Sequence, residues 1–266
     1  MSTDAIRSPT AERWRISERT RDRLLSIASP VGLLVVWEIG ARLGFIDTRF
    51  FPAPSSILAT LWSMSRSGEL WLHTSTSLVR LFWGFVLGGA PALVLGIVMG
   101  LSRPVRALVE PLIAATYPIP KSSILPLALL IFGLGEGSKI FMVAVGVFFP
   151  VAINATTGVL EINKIYLDVG KNFKASRWNT FRTIALPGAL PVIMTGIRLG
   201  IGMGLVLIAV AEMIGAKSGL GYMIWSAWET FAVEQMYVGL FVIAIIGFAV
   251  TIALNEIEKL LVPWRR

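Results

Sequence analysis

From Leu78 to Leu101 the chain reads LVRLFWGFVLGGAPALVLGIVMGL, with Arg80 as its one charged residue. A run of that kind has few homes. About 20 apolar residues in a helix match the hydrocarbon core of a bilayer, and a helix satisfies its own backbone polar groups there. Similar runs cover Leu24–Phe45, Lys139–Leu160, Leu190–Ile214 and Tyr237–Leu261. A further stretch, Val105–Phe132, is interrupted by Pro118, Pro120 and Pro126, which predicts an interfacial piece followed by a shorter span. Only 15% of the residues are charged, against about 25% in soluble domains. The alternating segments of about 10 residues that make a β-barrel are absent. The expected fold class is an all-α membrane protein with six transmembrane helices. Residues 1–24 form a polar tail and residues 25–266 the membrane domain. The first run is longer than the core of a signal peptide and carries Glu38 and Arg42, four apart and able to neutralise one another. It is expected to stay in place as the first span. After Pro52 and Pro54, Ser55 or Ser56 is placed to cap a short helix.

Six spans put both termini on one side. With the termini inside, sixteen of the 24 Lys and Arg residues face the cytoplasm, among them Arg103, Arg106 and five in the loop 161–187. Arg49, Arg66, Lys139 and Lys217 fall outside. That asymmetry sets the orientation. It also accounts for the net charge of +8 without a nucleic-acid partner. The chain has no cysteine, and its one histidine, His73, is expected in a solvated outer loop. Thiolate sites, disulfides and a zinc centre are excluded. The segment GLGEGSK, Gly133 to Lys139, has Gly-Ser-Lys where a phosphate loop needs Gly-Lys-Ser/Thr, and no strand precedes it. No catalytic constellation is visible.

Small residues recur every four positions at Gly84, Gly88, Ala92, Gly96 and Gly100, and again at Gly196, Gly200 and Gly204. On a helix each set is one ridge, along which a neighbouring backbone can approach closely. Static packing and sliding during transport both fit it. Two polar groups are candidates for a solute path. Lys121, in PIPKSSILP, either lines a broken helix or snorkels to the surface. Glu212, near the outer end of the fifth span, either lines a mouth or is a satisfied helix-end carboxylate.

The cytoplasmic loop 161–187 is not featureless. Ile165, Val169 and Phe173 recur at helical spacing, with Asp168, Lys171, Asn172 and Lys174 elsewhere around the helix. Ser176 is placed to cap a second short helix carrying Trp178 and Phe181. Pro187 is expected to end the loop, and Pro191 suits the first turn of the fifth span. Such a hairpin fits a headgroup surface as well as it fits a docked partner.

Asp168, Val169, Gly170, Lys174, Ile184, Leu186 and Pro187 follow the frame E-A-A-x3-G-x9-I-x-L-P. That frame, together with IALPGALP, LPLALLIFGLGEGSKIF, MTGIRLGIG and AEMIGAKSGLGYMI, resembles the permease subunits of bacterial ABC importers of the nitrate, taurine and aliphatic sulfonate type. The resemblance covers roughly residues 30–263. It implies the type I importer (MetI-like) fold in the bacterial inner membrane, with both termini cytoplasmic. It implies a homodimer forming the path for a small anion, and two ATPase subunits that bind ATP and Mg. A periplasmic or lipid-anchored binding protein would deliver the solute. The permease itself would hold no cofactor and do no bond chemistry. The loop, with Phe173, Ala175, Ser176 and Trp178 added to the frame positions, is then the coupling element. Asp168, Val169 and Gly170 stand where the family has Glu-Ala-Ala. Lys174 stands where it has glycine and does not permit a glycine's close backbone approach. A self-contained channel or secondary transporter is the other reading, and for the latter inverted repeats and midplane charges are expected.

Overall fold

The computed structural model describes residues 18–263. The first seventeen residues of the expected tail, and Arg265 and Arg266, lie outside them. The chain divides into two compact units, Met1–Ser56 and Ile57–Arg266.

In the first unit, α1 (Glu18–Arg42) lies where the first span was expected. Glu38 pairs with Arg42, and it does more. Its Oε2 accepts the backbone N–H of Ser55 at 3.0 Å and its Oε1 accepts the Ser55 hydroxyl at 2.8 Å. The next helix, α2, starts at Pro54, so neither Ser55 nor Ser56 acts as its N-cap. The orphan amide of its first turn is taken by a carboxylate instead.

α2 (Pro54–Ser67), which begins before the second unit, runs to Gly68, whose left-handed backbone (φ 81°) breaks it from α3 (Glu69–Leu101). Then come α4 (Arg103–Thr116), a 3₁₀ turn (Lys121–Ile124), α5 (Leu125–Phe132) and α6 (Glu136–Leu160). The loop contributes α7 (Lys164–Asn172) and α8 (Arg177–Thr180), and a π turn (Phe181–Ala185) leads into α9 (Leu186–Met213). α10 (Leu220–Glu229) and α11 (Val233–Leu261) complete the chain. Among the described residues four helices are long and apolar enough to cross a membrane, and α4 with the segment Lys121–Phe132 makes a fifth crossing if that pair, bent by 90°, is one span. The bend falls at Pro118 and Pro120, which lack the N–H needed to continue the helix.

α6 is the centre of the bundle, with α3 on one side and α9 on the other. Val143, Val147, Val151 and Ala152 of α6 pack with Leu81 and Ala92 of α3 and Ile208 of α9. Both glycine ridges face α6. A Cβ on Gly88 would collide with the Ala144 backbone, and one on Gly84 or Gly100 with Val143 or Val159. At Gly96 it would meet Ala152 O and Ala155, and Thr156 Oγ1 donates to the Gly96 carbonyl at 3.1 Å. From the other side Gly196 abuts Asn154, and Gly204 faces Val143, Val147 and Leu81. Gly200 lies against Val147 and Val151, where an added Cβ would stand 3.1–3.3 Å from their atoms. Gly200→Leu is therefore expected to destabilise the bundle by about 1–3 kcal/mol or more through overpacking. Size-exclusion chromatography of the detergent-solubilised variant checks this, and a normal monodisperse peak with normal transport would contradict it.

Two boundaries differ from expectation. α3 begins at Glu69 rather than Leu78, because the side chains of His73 and Ser77 have partners and need no water. The second short loop helix is not separate: Trp178 to Met213 is one helical stretch of 36 residues. Pro187 therefore does not end the loop, and Pro191 lies within α9 rather than in its first turn. The π turn explains how. A proline ring clashes with the carbonyl four residues back, here Thr183. The wider register, in which the Leu186 N–H bonds to Phe181 O, lets the helix pass.

Candidate functional site

α7 buries Gly170 and leaves its apolar stripe uncovered. Ile165, Val169 and Trp178 are exposed, and Phe173 is 83% exposed. Gly170 and Ile184, two positions of the frame, meet: a Cβ on Gly170 would lie 3.0 Å from Ile184 Cδ1. Ile184 and Leu186 in turn pack against the buried cluster of Ala155, Val159, Ala185 and Ala189. The loop is thus seated on the bundle through one face while the stripe points away. Ser176 Oγ accepts the Asn179 N–H at 3.2 Å at the start of α8, and the Trp178 and Phe181 rings stand 5.6 Å apart. Asp168 and Ala175 are also exposed.

The glycine position of the frame has a backbone reason. Lys174 has φ 51°, the left-handed region. The Ala175 N–H closes on Gly170 O at 2.9 Å, a Schellman end for α7 in which the left-handed residue is usually glycine. The demand at 174 is thus conformational as well as steric. Lys174→Gly is expected to stabilise the end of α7 by about 1 kcal/mol. It should also slow chymotryptic cleavage at Phe173 and Trp178. Lys174→Val, β-branched at positive φ, should speed it; equal cleavage of the three proteins would contradict the strain.

At the other end of the bundle lies a polar cluster that sequence reasoning did not assemble. Arg80 is 3% exposed and Glu212 0%. Arg80 forms a two-pronged pair with Glu136 of α6, donates to Glu212 Oε1 at 2.9 Å and to Ser218 O at 2.7 Å. Ser77 Oγ lies 2.7 and 2.9 Å from the two Glu212 oxygens. Glu212 Oε2 also accepts the Gly221 N–H at 2.9 Å. The carboxylate weighed above as a pathway group is thus a satisfied helix-end group enclosed by protein. His73 is buried rather than solvated, its Nδ1 accepting the Gly219 N–H at 3.1 Å. Lys139 is not an exposed outer charge either. It is 1% exposed, and its ammonium bonds to Leu134 O and to Gly215 O at 3.4 Å. The overlooked signal was spacing: His73, Ser77, Arg80, Gly84 and Gly88 share one face of α3.

Lys121 lies in the wall of a cavity of about 750 Å³ between α3, α6 and the bent segment, with Leu87, Ile140, Phe141 and Phe149. Its ammonium donates to Thr116 O at 2.9 Å and Tyr117 O at 3.0 Å and stands 3.9 Å above the Phe149 ring. Those carbonyls lie at the broken end of α4, where Thr116 O also accepts the Ile119 N–H at 3.2 Å, so the charge holds the bend. Among the described residues no group of three or more His, Cys, Asp or Glu is placed to hold a metal.

Residues 92–266 match the family described as the inner membrane component of binding-protein-dependent transport systems. The chain belongs to that family. It is 37% identical over 260 residues to the taurine transport system permease protein TauC of Escherichia coli (strain K12), across 95% of this chain and 92% of the relative. It is 35% identical over 235 residues to the putative aliphatic sulfonates transport permease protein SsuC of the same organism, across 88% and 89%. A chain of the methionine ABC transporter MetNI, in an inward-facing conformation, superposes with a TM-score of 0.55 at 22% identity, across 76% of this chain and 98% of that one. The fold is accordingly the MetI-like fold of type I importers. The chain is a multi-pass inner-membrane permease subunit of an ABC importer, not an enzyme.

Proposed function

We propose that two copies of this permease form the path for a small sulfonate, taurine or an aliphatic sulfonate, and that residues 161–187 dock a separate ATPase that binds ATP and Mg. The observation that carries this is the bare stripe of Ile165, Val169 and Phe173 on a loop otherwise anchored through Gly170 and Ile184. An apolar face on a short helix outside the membrane needs a cover, and an amphipathic helix set in a groove is a recurrent way to give it one. The stripe, Trp178 and the frame positions Asp168, Val169, Gly170, Lys174, Ile184, Leu186 and Pro187 make up the coupling element; Ala175 and Ser176 shape its turn. The names of the two relatives support the choice of solute. A binding protein outside the membrane would set specificity, in line with the family's description. Given six spans within residues 25–266, the Lys and Arg distribution supports cytoplasmic termini and a cytoplasmic loop.

The test is purification of the permease expressed together with its ATPase and binding protein. Native mass spectrometry is expected to find two permeases with two ATPases. In lipid nanodiscs hydrolysis should rise when taurine-loaded binding protein is added. Solute uptake by the permease alone in liposomes would overturn the reading in favour of a self-contained transporter.

A further inference from the structure

The turn between α9 and α10 passes through two left-handed glycines, Gly215 (φ 68°) and Gly219 (φ 120°). Immediately after it, three successive backbone N–H groups find side-chain acceptors. Gly219 donates to His73 Nδ1 at 3.1 Å, Leu220 to Ser77 Oγ at 2.8 Å and Gly221 to Glu212 Oε2 at 2.9 Å. The first N–H groups of a helix have no partner of their own, so α10 is gripped by its open end. Glu212 is the member that joins α10 to the helix before it, since it lies in the last turn of α9. Position 219 is fitted to this grip, because a Cβ there would fall on the Glu212 carboxylate. At its other end α9 continues unbroken into the π turn and α8.

We propose that α9 and α10 form one arm, and that Glu212 is the positioning residue that locks the second onto the first. A displacement imposed on residues 161–187 is delivered through this lock to α10 at the far end of the bundle. This rests on the reading of 161–187 as the ATPase-docking loop. A helix transmits displacement along its axis without bending unless a proline, glycine pair or π turn yields. The π turn, Pro187 and Pro191 on this route all lie towards the loop and not beside α10. A free turn at residues 214–219 would leave α10 indifferent to α9; a charged cap bonded to Gly221, Ser77 and Arg80 does not.

The chain has no cysteine, so a single reporter can be placed at exposed Trp228 of α10. Maleimide labelling of Trp228→Cys is measured in the complex with ATPase, with and without a non-hydrolysable ATP analogue. The expected result is a severalfold change in labelling rate with the nucleotide. That change should be lost on adding Glu212→Ala and kept with Glu212→Gln, which still offers Gly221 an acceptor. Ser77→Ala, which removes the Leu220 acceptor and the hydroxyl bound to Glu212 but leaves the Glu212–Gly221 bond, should give an intermediate change and covers the case in which Glu212→Ala fails to assemble. An unaltered nucleotide response in Glu212→Ala, or no response in the parent, overturns the proposal. Failure of the parent to retain the ATPase would instead remove the docking reading, and the arm with it.

Discussion

Arg80→Ala is expected to be among the most damaging single changes in the membrane domain. It leaves the enclosed Glu212 carboxylate with a hydroxyl and an amide but no cation, and it leaves Ser218 O without its donor. Breaking one side of a buried ion pair costs about 3–5 kcal/mol, enough to unfold a marginally stable protein. Glu136, whose side chain is 64% exposed, tolerates the loss; Glu212 does not. The measurement is the fraction of solubilised permease recovered as a monodisperse species, with its thermal midpoint. Arg80→Leu combined with Glu212→Leu removes both charges and is expected to recover much of the loss in stability, because an apolar pair of similar bulk replaces the buried ions. Wild-type stability in Arg80→Ala would mean that water reaches this cluster.

Phe173→Ala is expected to leave the bundle intact and to release the ATPase. Phe173 is too exposed to contribute to the fold of the chain. As an anchor in a partner's groove, its truncation would cost on the order of 2 kcal/mol or more at the interface, a factor of about 30 in affinity. Trp178→Ala should act in the same direction, since its ring is also exposed on this loop. The measurement is ATPase retained on the purified permease, with solute-stimulated hydrolysis in nanodiscs. Normal retention in both variants would show the stripe to be a lipid-surface feature.

The loop and the spans were legible because they rest on periodicity alone. The apolar runs marked the long helices, and the spacing of Ile165, Val169 and Phe173 marked α7. Three things were not legible, each for a physical reason. His73 and Ser77 looked like loop residues because polarity was read without partners; the acceptors and donors that let them sit inside come from Gly219, Leu220 and Glu212, more than a hundred residues away. α10 falls between the fifth and sixth expected spans, too short for the apolar runs to mark; there Gly215 and Gly219 serve left-handed turns and Gly221 close approach to Ala209. Pro187 read as a stop, which holds for an α register but not for the wider turn that precedes it.

The unbroken stretch from Trp178 to Met213 carries a consequence for where the loop stands. Thirty-six residues make a helix about 54 Å long, against a hydrocarbon core of about 30 Å. The apolar portion from Leu190 onward is about 36 Å and fills the bilayer. The remaining dozen residues, Trp178 to Ala189, add about 18 Å; Ala185 and Ala189 still pack on α6, and Trp178 lies at the far end. With residues 161–187 taken as the proposed ATPase-docking loop, Trp178 at that end of the stretch is placed for a soluble partner rather than for lipid.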